Sequence, residues 1–400
     1  MEVLVGTYDP LLLGFQLVHD NENNYRFEPK FVDKGHAGCV KSVACGGGRD
    51  SLLASGSTDE TIRLYNLKDH KDLGSLHQHE GSVTCLTFCG NTHMLSASED
   101  KTICVWNCKT WECLKVLKGH QGPVYSVSVH PSGRLAMSVS KDKHLRTWNL
   151  VTGRSAYVTN LKEVATLIKW SPLGDCYAVV IGNKIVIYKL ATASLSCTLQ
   201  LPRPVLAVQF LSETVLVAGG EFNGIRIFNI EKEGCIQTLI GHESRVKALE
   251  VMDDIFADQD KKRLLLVSVS SDGDLRAWSL NQENFEEEGQ LVARYEMNGR
   301  PTCLSISCPK RVNTKPLLEK IEEEETKEKK ENSERKSTTR SGDDLTTKEA
   351  KKKKKTQMKK KKKQQEQLRD EEESDTKRNE EASEAMSPDD EQDEEQTMKE

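Results

Sequence analysis

The sequence has no hydrophobic run long enough to cross a bilayer, no Cys-x-x-Cys pair and no Asn-x-Ser/Thr sequon. A membrane span needs roughly 18 consecutive apolar residues, whereas the N-terminal region offers only short runs such as Leu11-Leu12-Leu13. We therefore expect no membrane association and no secretory leader. The 12 cysteines lie in apolar runs, which favours small buried side chains in a reducing compartment over disulfides or metal ligands.

The last quarter of the chain lacks aromatic residues. All 22 of them lie at or before Tyr295, whereas residues 310–400 hold 25 basic and 27 acidic residues. A segment of this composition cannot bury enough apolar surface to offset its conformational entropy. The composition therefore predicts a folded domain over residues 1–309 and a disordered tail over residues 310–400.

Charge in the tail is segregated by sign. Residues 351–363 hold ten lysines and no acid, while residues 370–400 hold 15 acidic and three basic residues. The lysine clusters suit nuclear or nucleolar targeting, or weakly sequence-specific contact with RNA phosphates; a solvated charge run with neither role is the alternative. The ten lysines are Lys351, Lys352, Lys353, Lys354, Lys355, Lys359, Lys360, Lys361, Lys362 and Lys363.

Two serines of the tail precede acidic residues. Ser341 is followed by Gly-Asp-Asp and Ser387 by Pro-Asp-Asp. Both are candidates for phosphorylation by acid-directed kinases, which would make this region more negative.

A repeat with a period near 41 residues organises residues 1–309. Four copies share a His, a Ser, an Asp four residues after the Ser, and an aromatic residue six residues after the Asp. The aromatic residue ends a run rich in β-branched side chains, which predicts a β-strand. The four sets are His36, Ser55, Asp59, Tyr65; His79, Ser96, Asp100, Trp106; His120, Ser138, Asp142, Trp148; and His242, Ser268, Asp272, Trp278.

Three further copies are incomplete. One runs from Trp170 to Tyr188 without the His and the Asp, and the next has Phe222 where the Asp would fall. The third is split between the chain ends, because Gly6, Asp9 and Phe15 repeat the spacing of the inner strands and residues 302–306 supply a first strand. Pairing the two ends predicts a closed ring of seven units without an unpaired blade edge.

These copies resemble WD40 repeats, with Tyr65-Asn66, Trp106-Asn107 and Trp148-Asn149 in place of the terminal Trp-Asp. The resemblance implies an all-β, seven-bladed propeller in which the His, Ser, Asp and aromatic side chains form a buried hydrogen-bonded chain within a blade. A Ser, a His and an Asp also suggest a hydrolase triad. Because the set recurs four times, we interpret it as a packing device, and we expect no catalytic residue.

Other motifs have weak functional signals. Arginine lies two residues before the strand aromatic in four copies and could form a basic ring for phosphate, although WD repeats commonly carry a basic residue there. The Gly46-Gly47-Gly48 and Gly219-Gly220 runs lack the Lys-Ser/Thr of a phosphate loop. His77 and His79 lack further ligands at metal spacing, so we expect neither a metal nor a cofactor. The four arginines are Arg63, Arg146, Arg226 and Arg276.

Three residues are candidates for a partner surface. Trp111 lies in a turn between outer strands, where an exposed Trp would anchor an interface; the alternative is a Trp folded onto its own blade. Tyr125 and Lys141 lie where WD repeats tend to bind partners. The segment 256–261 lengthens the fourth complete copy and predicts a loop, with binding and simple tolerance equally open.

Several stretches are also similar to the p21-activated protein kinase-interacting protein family. They include residues 130–136, 145–150 and 153–156, together with 111–115 and 183–185. The resemblance implies binding and restraint of p21-activated kinases, and a role in the nucleus and nucleolus in large ribosomal subunit assembly with pre-ribosomal partners. A cytoplasmic kinase inhibitor without a ribosomal role is the alternative. An enzyme acting on a small-molecule substrate is not expected.

Overall fold

The structure, a computed structural model, describes residues 1–20, 25–46, 52–256 and 262–307. All regular secondary structure in these ranges is β-strand, arranged as seven antiparallel sheets of four strands. This confirms the predicted seven-bladed propeller. The boundary at residue 309, the tail, its lysine clusters, Ser341, Ser387, Gly47, Gly48 and residues 257–261 of the long loop lie outside the described ranges.

Each blade is a meander whose strands follow one another from the centre outward. Blades 1, 2 and 3 contain β4–β7 (Val40–Cys45, Leu52–Ser57, Thr61–Asn66, Lys71–His77), β8–β11 (Val83–Cys89, His93–Ser98, Ile103–Asn107, Cys113–Leu117) and β12–β15 (Val124–Val129, Leu135–Ser140, His144–Asn149, Arg154–Asn160). Blades 4 and 5 contain β16–β19 (Leu167–Trp170, Cys176–Ile181, Lys184–Lys189, Ser194–Gln200) and β20–β23 (Val205–Phe210, Val215–Gly220, Ile225–Asn229, Gly234–Leu239). Blade 6 contains β24–β27 (Val246–Asp253, Arg263–Ser270, Asp274–Asn281, Gln290–Glu296).

The two chain ends build blade 7 together. Its strands are β28 (Pro301–Ser307), β1 (Glu2–Thr7), β2 (Leu12–His19) and β3 (Tyr25–Asp33), in that order from the centre. β1 pairs with β28 in antiparallel register, with Val3 opposite Ile306 and Val5 opposite Leu304. The predicted closure is thus confirmed. Backbone hydrogen bonds of the closing strand β28 join residues near position 300 to residues near position 1.

The hydrophobic core lies between blades. Seven clusters of buried side chains occur, and each combines residues from two neighbouring blades, as when Leu95 and Ala97 of blade 2 meet Val127 and Trp148 of blade 3. The second strand of most blades is buried on both faces, whereas outer strands such as β15 are exposed along almost their whole length. Apolar burial therefore holds neighbouring blades together around the ring.

Candidate interaction site

The predicted His, Ser and Asp side chains come together in blades 1, 2 and 3. The His Nδ1 atom lies 2.9, 2.7 and 2.8 Å from the Asp Oδ2 atom in the three blades. The His Nε2 atom lies 2.8 Å from the Ser Oγ atom in all three. In blades 2 and 3 the indole of Trp106 or Trp148 donates to that Oγ atom at 2.8 Å. In blade 1 the Tyr65 hydroxyl donates to Asp33 at 2.8 Å.

The contacts assign the protons in blades 2 and 3. An ionised Asp only accepts hydrogen bonds, so the His Nδ1 atom carries the proton that faces it. The Ser hydroxyl accepts from the indole N–H and donates to the His Nε2 atom. Each polar side-chain atom of these Asp, His, Ser and Trp sets therefore has a hydrogen-bond partner, which is the condition under which a buried carboxylate is tolerated.

The hydrogen bonds keep the network carboxylates ionised. For Asp100, burial acts to raise the pKa, but hydrogen bonds from His79 and from the hydroxyl and N–H of Thr102 outweigh it and lower the pKa to about 2. The pKa values of Asp59 and Asp142 are also lowered by such bonds against the effect of burial. Ser96 and Ser138 are fully buried, so no substrate carbonyl can reach their Oγ atoms and the sets cannot act as hydrolase triads.

Blade 6 departs from the predicted set. His242 Nε2 lies 2.7 Å from Ser268 Oγ, and the Trp278 indole donates to that oxygen at 3.0 Å. Asp272, however, is exposed and accepts the N–H of Asp274 at 3.1 Å. The carboxylate nearest His242 Nδ1 belongs to Asp274, at 3.9 Å, which is too long for a hydrogen bond.

Two arginines explain why the carboxylate of blade 6 does not bind His242. Arg276 and Arg294 donate to the two oxygens of Asp274 at 2.7 and 2.9 Å. The carboxylate is committed to them, and His242 Nδ1 is buried without a hydrogen-bond partner among the described residues. Burial, reinforced by Arg276 and only partly opposed by Asp274, lowers the pKa of His242 to about 4.

The four repeated arginines pack within their blades. A Cβ atom placed on the glycine before His36, His120 or His242 would lie within 3.0 Å of the guanidinium of Arg63, Arg146 or Arg276. The Gly of the Gly-His pair therefore leaves room for the arginine two residues before the strand aromatic. In blade 5 Arg226 lies 5.4 Å above the ring centroid of Phe222. Each guanidinium thus packs against a glycine or aromatic ring of its own repeat, and the Nε atoms of Arg146 and Arg226 are buried without a hydrogen-bond partner among the described residues.

The three candidate partner residues lie in different surroundings. Trp111 is half-buried and packs against the core cluster between blades 1 and 2, as in the alternative of a Trp folded onto its own blade. Lys141 is exposed in the tight turn next to Asp142. Tyr125 is half-buried in the wall of the central channel. The structure does not bring the three together as one cluster.

The central channel is a cavity of about 840 Å³ lined by the innermost strands. Lys41 directly follows the buried Val40 at the start of β4, and Lys247 directly follows the buried Val246 at the start of β24. Deeper in the channel the Gln209 amide donates to Glu250 at 2.9 Å. The sequence analysis missed this pair of lysines because 206 positions separate them. The pattern that could have revealed them is a Lys directly after the first buried Val of an innermost strand.

An apolar rim runs along the outer parts of blades 2, 3 and 4. It consists of large side chains that are 50% or more exposed; four lie in outer strands or in the turns beside them, and Leu173 lies in the turn between β16 and β17. Exposed apolar side chains of this kind mark protein contact sites, and Leu114 and Val151 line one groove between blades 2 and 3. The rim residues are Leu114, Val151, Tyr157, Leu173 and Leu195.

The described ranges hold no group of three or more His, Cys, Asp or Glu side chains placed to bind a metal ion. Within the same ranges, no helix has the length and apolar character that would span a membrane.

Comparisons with known proteins agree with this architecture. The model of the "WD domain, G-beta repeat" family matches residues 27–66, 70–107, 111–149 and 233–279. Alignment with human p21-activated protein kinase-interacting protein 1 gives 42% identity over 328 residues, 81% of each chain. The chain belongs to this family. The bovine protein of the same name is 44% identical over 321 residues, 79% of each chain. The zebrafish (Danio rerio) "p21-activated protein kinase-interacting protein 1-like" is 37% identical over 310 residues, 77% of this chain and 81% of its own.

The family membership and the propeller agree on the broad class. WD40 propellers generally serve as non-catalytic scaffolds, and the related proteins are named for an interaction rather than for a reaction. Function on such a fold resides in the surfaces that it presents.

Proposed function

We propose that this chain is a non-enzymatic interaction scaffold that acts in the nucleolus in large ribosomal subunit assembly and also binds and restrains a p21-activated kinase. The observation that carries the proposal is the 42–44% identity, over about four-fifths of both chains, to proteins named for their interaction with this kinase. Pre-ribosomal assembly factors are the other partners that the family resemblance implies.

The geometry supports a scaffold in two ways. First, the serines of the repeated His, Ser and Asp sets are buried, and the sets of blades 2 and 3 are fully hydrogen-bonded, so they stabilise blades and leave the surface free for partners. Second, the apolar rim and the channel are separate surfaces of one ring. A ring whose blades are fixed by seven interblade clusters can present several partner surfaces at once.

The lysine clusters of residues 351–363 support the nucleolar part of the proposal. Ten lysines without an acid suit nuclear import and contact with RNA phosphates, and a cytoplasmic kinase inhibitor has no need of them. The kinase-derived names of the relatives keep the cytoplasmic alternative open as a second function of the same propeller.

The nucleolar part is tested with a fluorescent fusion of the full chain. Replacing all ten lysines of 351–363 with glutamine should abolish nucleolar accumulation, while replacing ten acidic residues of 370–400 should leave it in place. Affinity purification of the same variants with mass spectrometry should recover ribosome-assembly factors from the chain with native lysines. Unaltered accumulation of the glutamine variant would remove these lysines from the mechanism.

The kinase part needs a separate assay. Purified full-length protein added at a stoichiometric ratio should slow activation of a p21-activated kinase. A matched variant with Leu114 and Val151 changed to Ser tests whether the apolar rim takes part, since both side chains are exposed and their loss leaves the core intact. Full kinase activation at an excess of the native protein contradicts this part of the proposal.

A further inference from the structure

Four cations gather on one side of the channel opening. Lys41 and Lys247 occupy equivalent positions on β4 and β24, the innermost strands on either side of the closing strand β28. Arg245 and Arg300 occupy the equivalent positions just before the first residues of β24 and β28. We call these four residues the channel mouth. Blades 6, 7 and 1 thus place their cations side by side, although the residues span positions 41 to 300.

The acids nearby compensate these cations only in part. Glu221 pairs with Arg245 at 3.6 Å, and both side chains are substantially exposed. Neither Lys41 nor Lys247 has a carboxylate oxygen within 4.0 Å in the described ranges. Arg300 lies over the Tyr8 ring, 5.2 Å from its centroid, rather than on an acid.

The environment of Lys247 reflects this excess of positive charge. Burial is the largest cause that lowers the pKa of its ammonium group, and Arg245 and Lys41 lower it further, while Glu221 and Cys39 oppose them. Both lysines also affect Cys39. Burial raises the pKa of its thiol and Asp9 raises it further, whereas Lys41 and Lys247 lower it. The two lysines therefore face each other across β28, and Glu221 only partly offsets their charge.

We propose that the channel mouth binds an acidic peptide segment of a protein partner, with one carboxylate of that segment held between Lys41 and Lys247. An anion at this point relieves the repulsion between the two ammonium groups and gains two charge-assisted hydrogen bonds. Thr302, which lies between them on β28, has its hydroxyl within hydrogen-bond distance of the Gly6 and Val40 carbonyl oxygens, so its proton is donated to the backbone. This proposal rests on the proposed scaffold function in one respect: both require that the partner is a protein.

A peptide fits the mouth better than a nucleic acid does. A single strand of nucleic acid needs a basic groove along its backbone and aromatic side chains on which its bases stack. Here the cations lie at the starts of three neighbouring inner strands, and Glu221 and Asp9 lie beside them. A flexible acidic side chain can reach between two lysines while its backbone avoids those acids.

Zero-length carbodiimide coupling of the full-length protein tests the placement. The probe is the peptide (Glu-Gly)5; the reagent joins a carboxylate to a lysine Nζ atom in contact with it, with loss of water. We expect coupling at Lys41 and Lys247 to exceed coupling at Lys71 and Lys115, which are exposed on outer strands, about five-fold because the mouth combines several cations. Equal coupling at all four lysines would overturn the proposal.

A binding measurement supplies the matched comparison. Fluorescein-labelled (Glu-Gly)5 is titrated into full-length protein whose ten lysines of 351–363 are glutamine, so that these lysines do not compete for the probe. Lys41→Gln with Lys247→Gln should weaken binding about ten-fold, as expected for the loss of a partly buried charge pair. Lys71→Gln with Lys115→Gln should leave it unchanged, and a (Gln-Gly)5 peptide should not bind.

Three results separate the outcomes. Equal affinity of the two double variants at unchanged thermal midpoints contradicts the site. A uridine decanucleotide that binds more tightly than the peptide, and only when Lys41 and Lys247 are present, assigns the mouth to nucleic acid and overturns the peptide. Loss of kinase or assembly-factor capture with peptide binding intact would count against the proposed function and not against the mouth.

Discussion

Blades 2 and 3 and blades 4 and 5 reach the same four-stranded geometry with opposite interiors. In blades 2 and 3 a buried chain links Asp, His, Ser and Trp side chains through hydrogen bonds of 2.7–2.8 Å. In blade 5 Phe222 replaces the Asp and is buried. In blade 4 the Tyr177 ring meets Trp170 edge to face and stacks on Tyr188, with ring centroids 5.2 Å apart in both pairs. Either apolar packing or a satisfied polar chain can thus hold a blade.

The two interiors differ in how they should respond to mutation. An apolar interior loses packing in proportion to the volume removed. A polar chain loses much more when one member is removed, because the remaining buried groups have no partner. Blade 6 is intermediate, since it keeps His242, Ser268 and Trp278 but turns its carboxylate toward two arginines.

The largest effect is expected at Asp274. Changing Asp274 to Ala leaves the buried guanidinium of Arg276 without its carboxylate, which should destabilise the protein by about 3–5 kcal/mol. Asp272→Ala, two residues away, removes an exposed side chain and should change the free energy of unfolding by less than about 1 kcal/mol. Urea denaturation of both variants measures the difference. If both variants lose the same unfolding free energy, Asp272 belongs to the buried hydrogen-bonded set, as the repeat spacing predicted.

A somewhat smaller loss is expected in blade 3. Asp142→Ala removes the acceptor for His120 Nδ1 and for the Gln121 N–H, and should cost on the order of 3 kcal/mol. Asp69→Ala, in an exposed turn of blade 1, is the control and should leave thermal melting nearly unchanged. Melting of the Asp142 variant at the native temperature would mean that the polar chain carries no stability.

The next test compares the two interiors directly. Because His120 and Asp142 are directly bonded, His120→Leu and Asp142→Leu should cost less together than the sum of the single changes, with a coupling of about 2 kcal/mol. His120→Leu and Phe222→Leu lie in separate blades, so their costs should add within about 0.5 kcal/mol. Equilibrium unfolding of the native protein and the five variants completes both cycles. Additivity of the bonded pair would show that blade 3 behaves like blade 5.

Much of this architecture is readable from the sequence. The split seventh blade follows from the spacing of Gly6, Asp9 and Phe15, because a repeat that lacks its first strand must find one elsewhere and a ring must close. The interior of blade 6 is not readable in the same way. Asp272 lies in the turn before β26 and Asp274 is the first residue of that strand, and the choice between them depends on Arg294 of the neighbouring strand.

The channel mouth was hidden for a related reason. Lys41 and Lys247 each look like an ordinary surface lysine in their own repeat, and each follows a buried valine. Only the closure of the ring, which brings β4 and β24 to either side of β28, places them together. Repeat spacing predicts what each blade contains, whereas contacts between non-consecutive blades require the closed ring.

The smallest expected effect is a loss of stability at mildly acidic pH, which His242 of blade 6 causes. Burial lowers the pKa of His242 to about 4, below the roughly 6.5 of an unfolded chain. The unfolded state therefore binds the proton first, so this stability is present above pH 6.5 and is lost as the pH falls toward 4. The lowered carboxylate pKa values act only at lower pH, since an unfolded Asp titrates near 3.8. Between pH 7 and pH 5 the loss from His242 should be about 1–2 kcal/mol.

Urea unfolding at pH 7 and pH 5 measures this loss. In a His242→Gln variant the difference between the two pH values should shrink by about 1–2 kcal/mol. Replacement of the exposed His77 by Gln is the control and should leave that difference unchanged. His120 contributes in the same direction, because burial lowers its pKa as well, but Asp142 opposes the shift. A His242 variant with the native pH dependence would mean that the unpartnered Nδ1 atom accepts a proton as readily in the folded blade as in the unfolded chain.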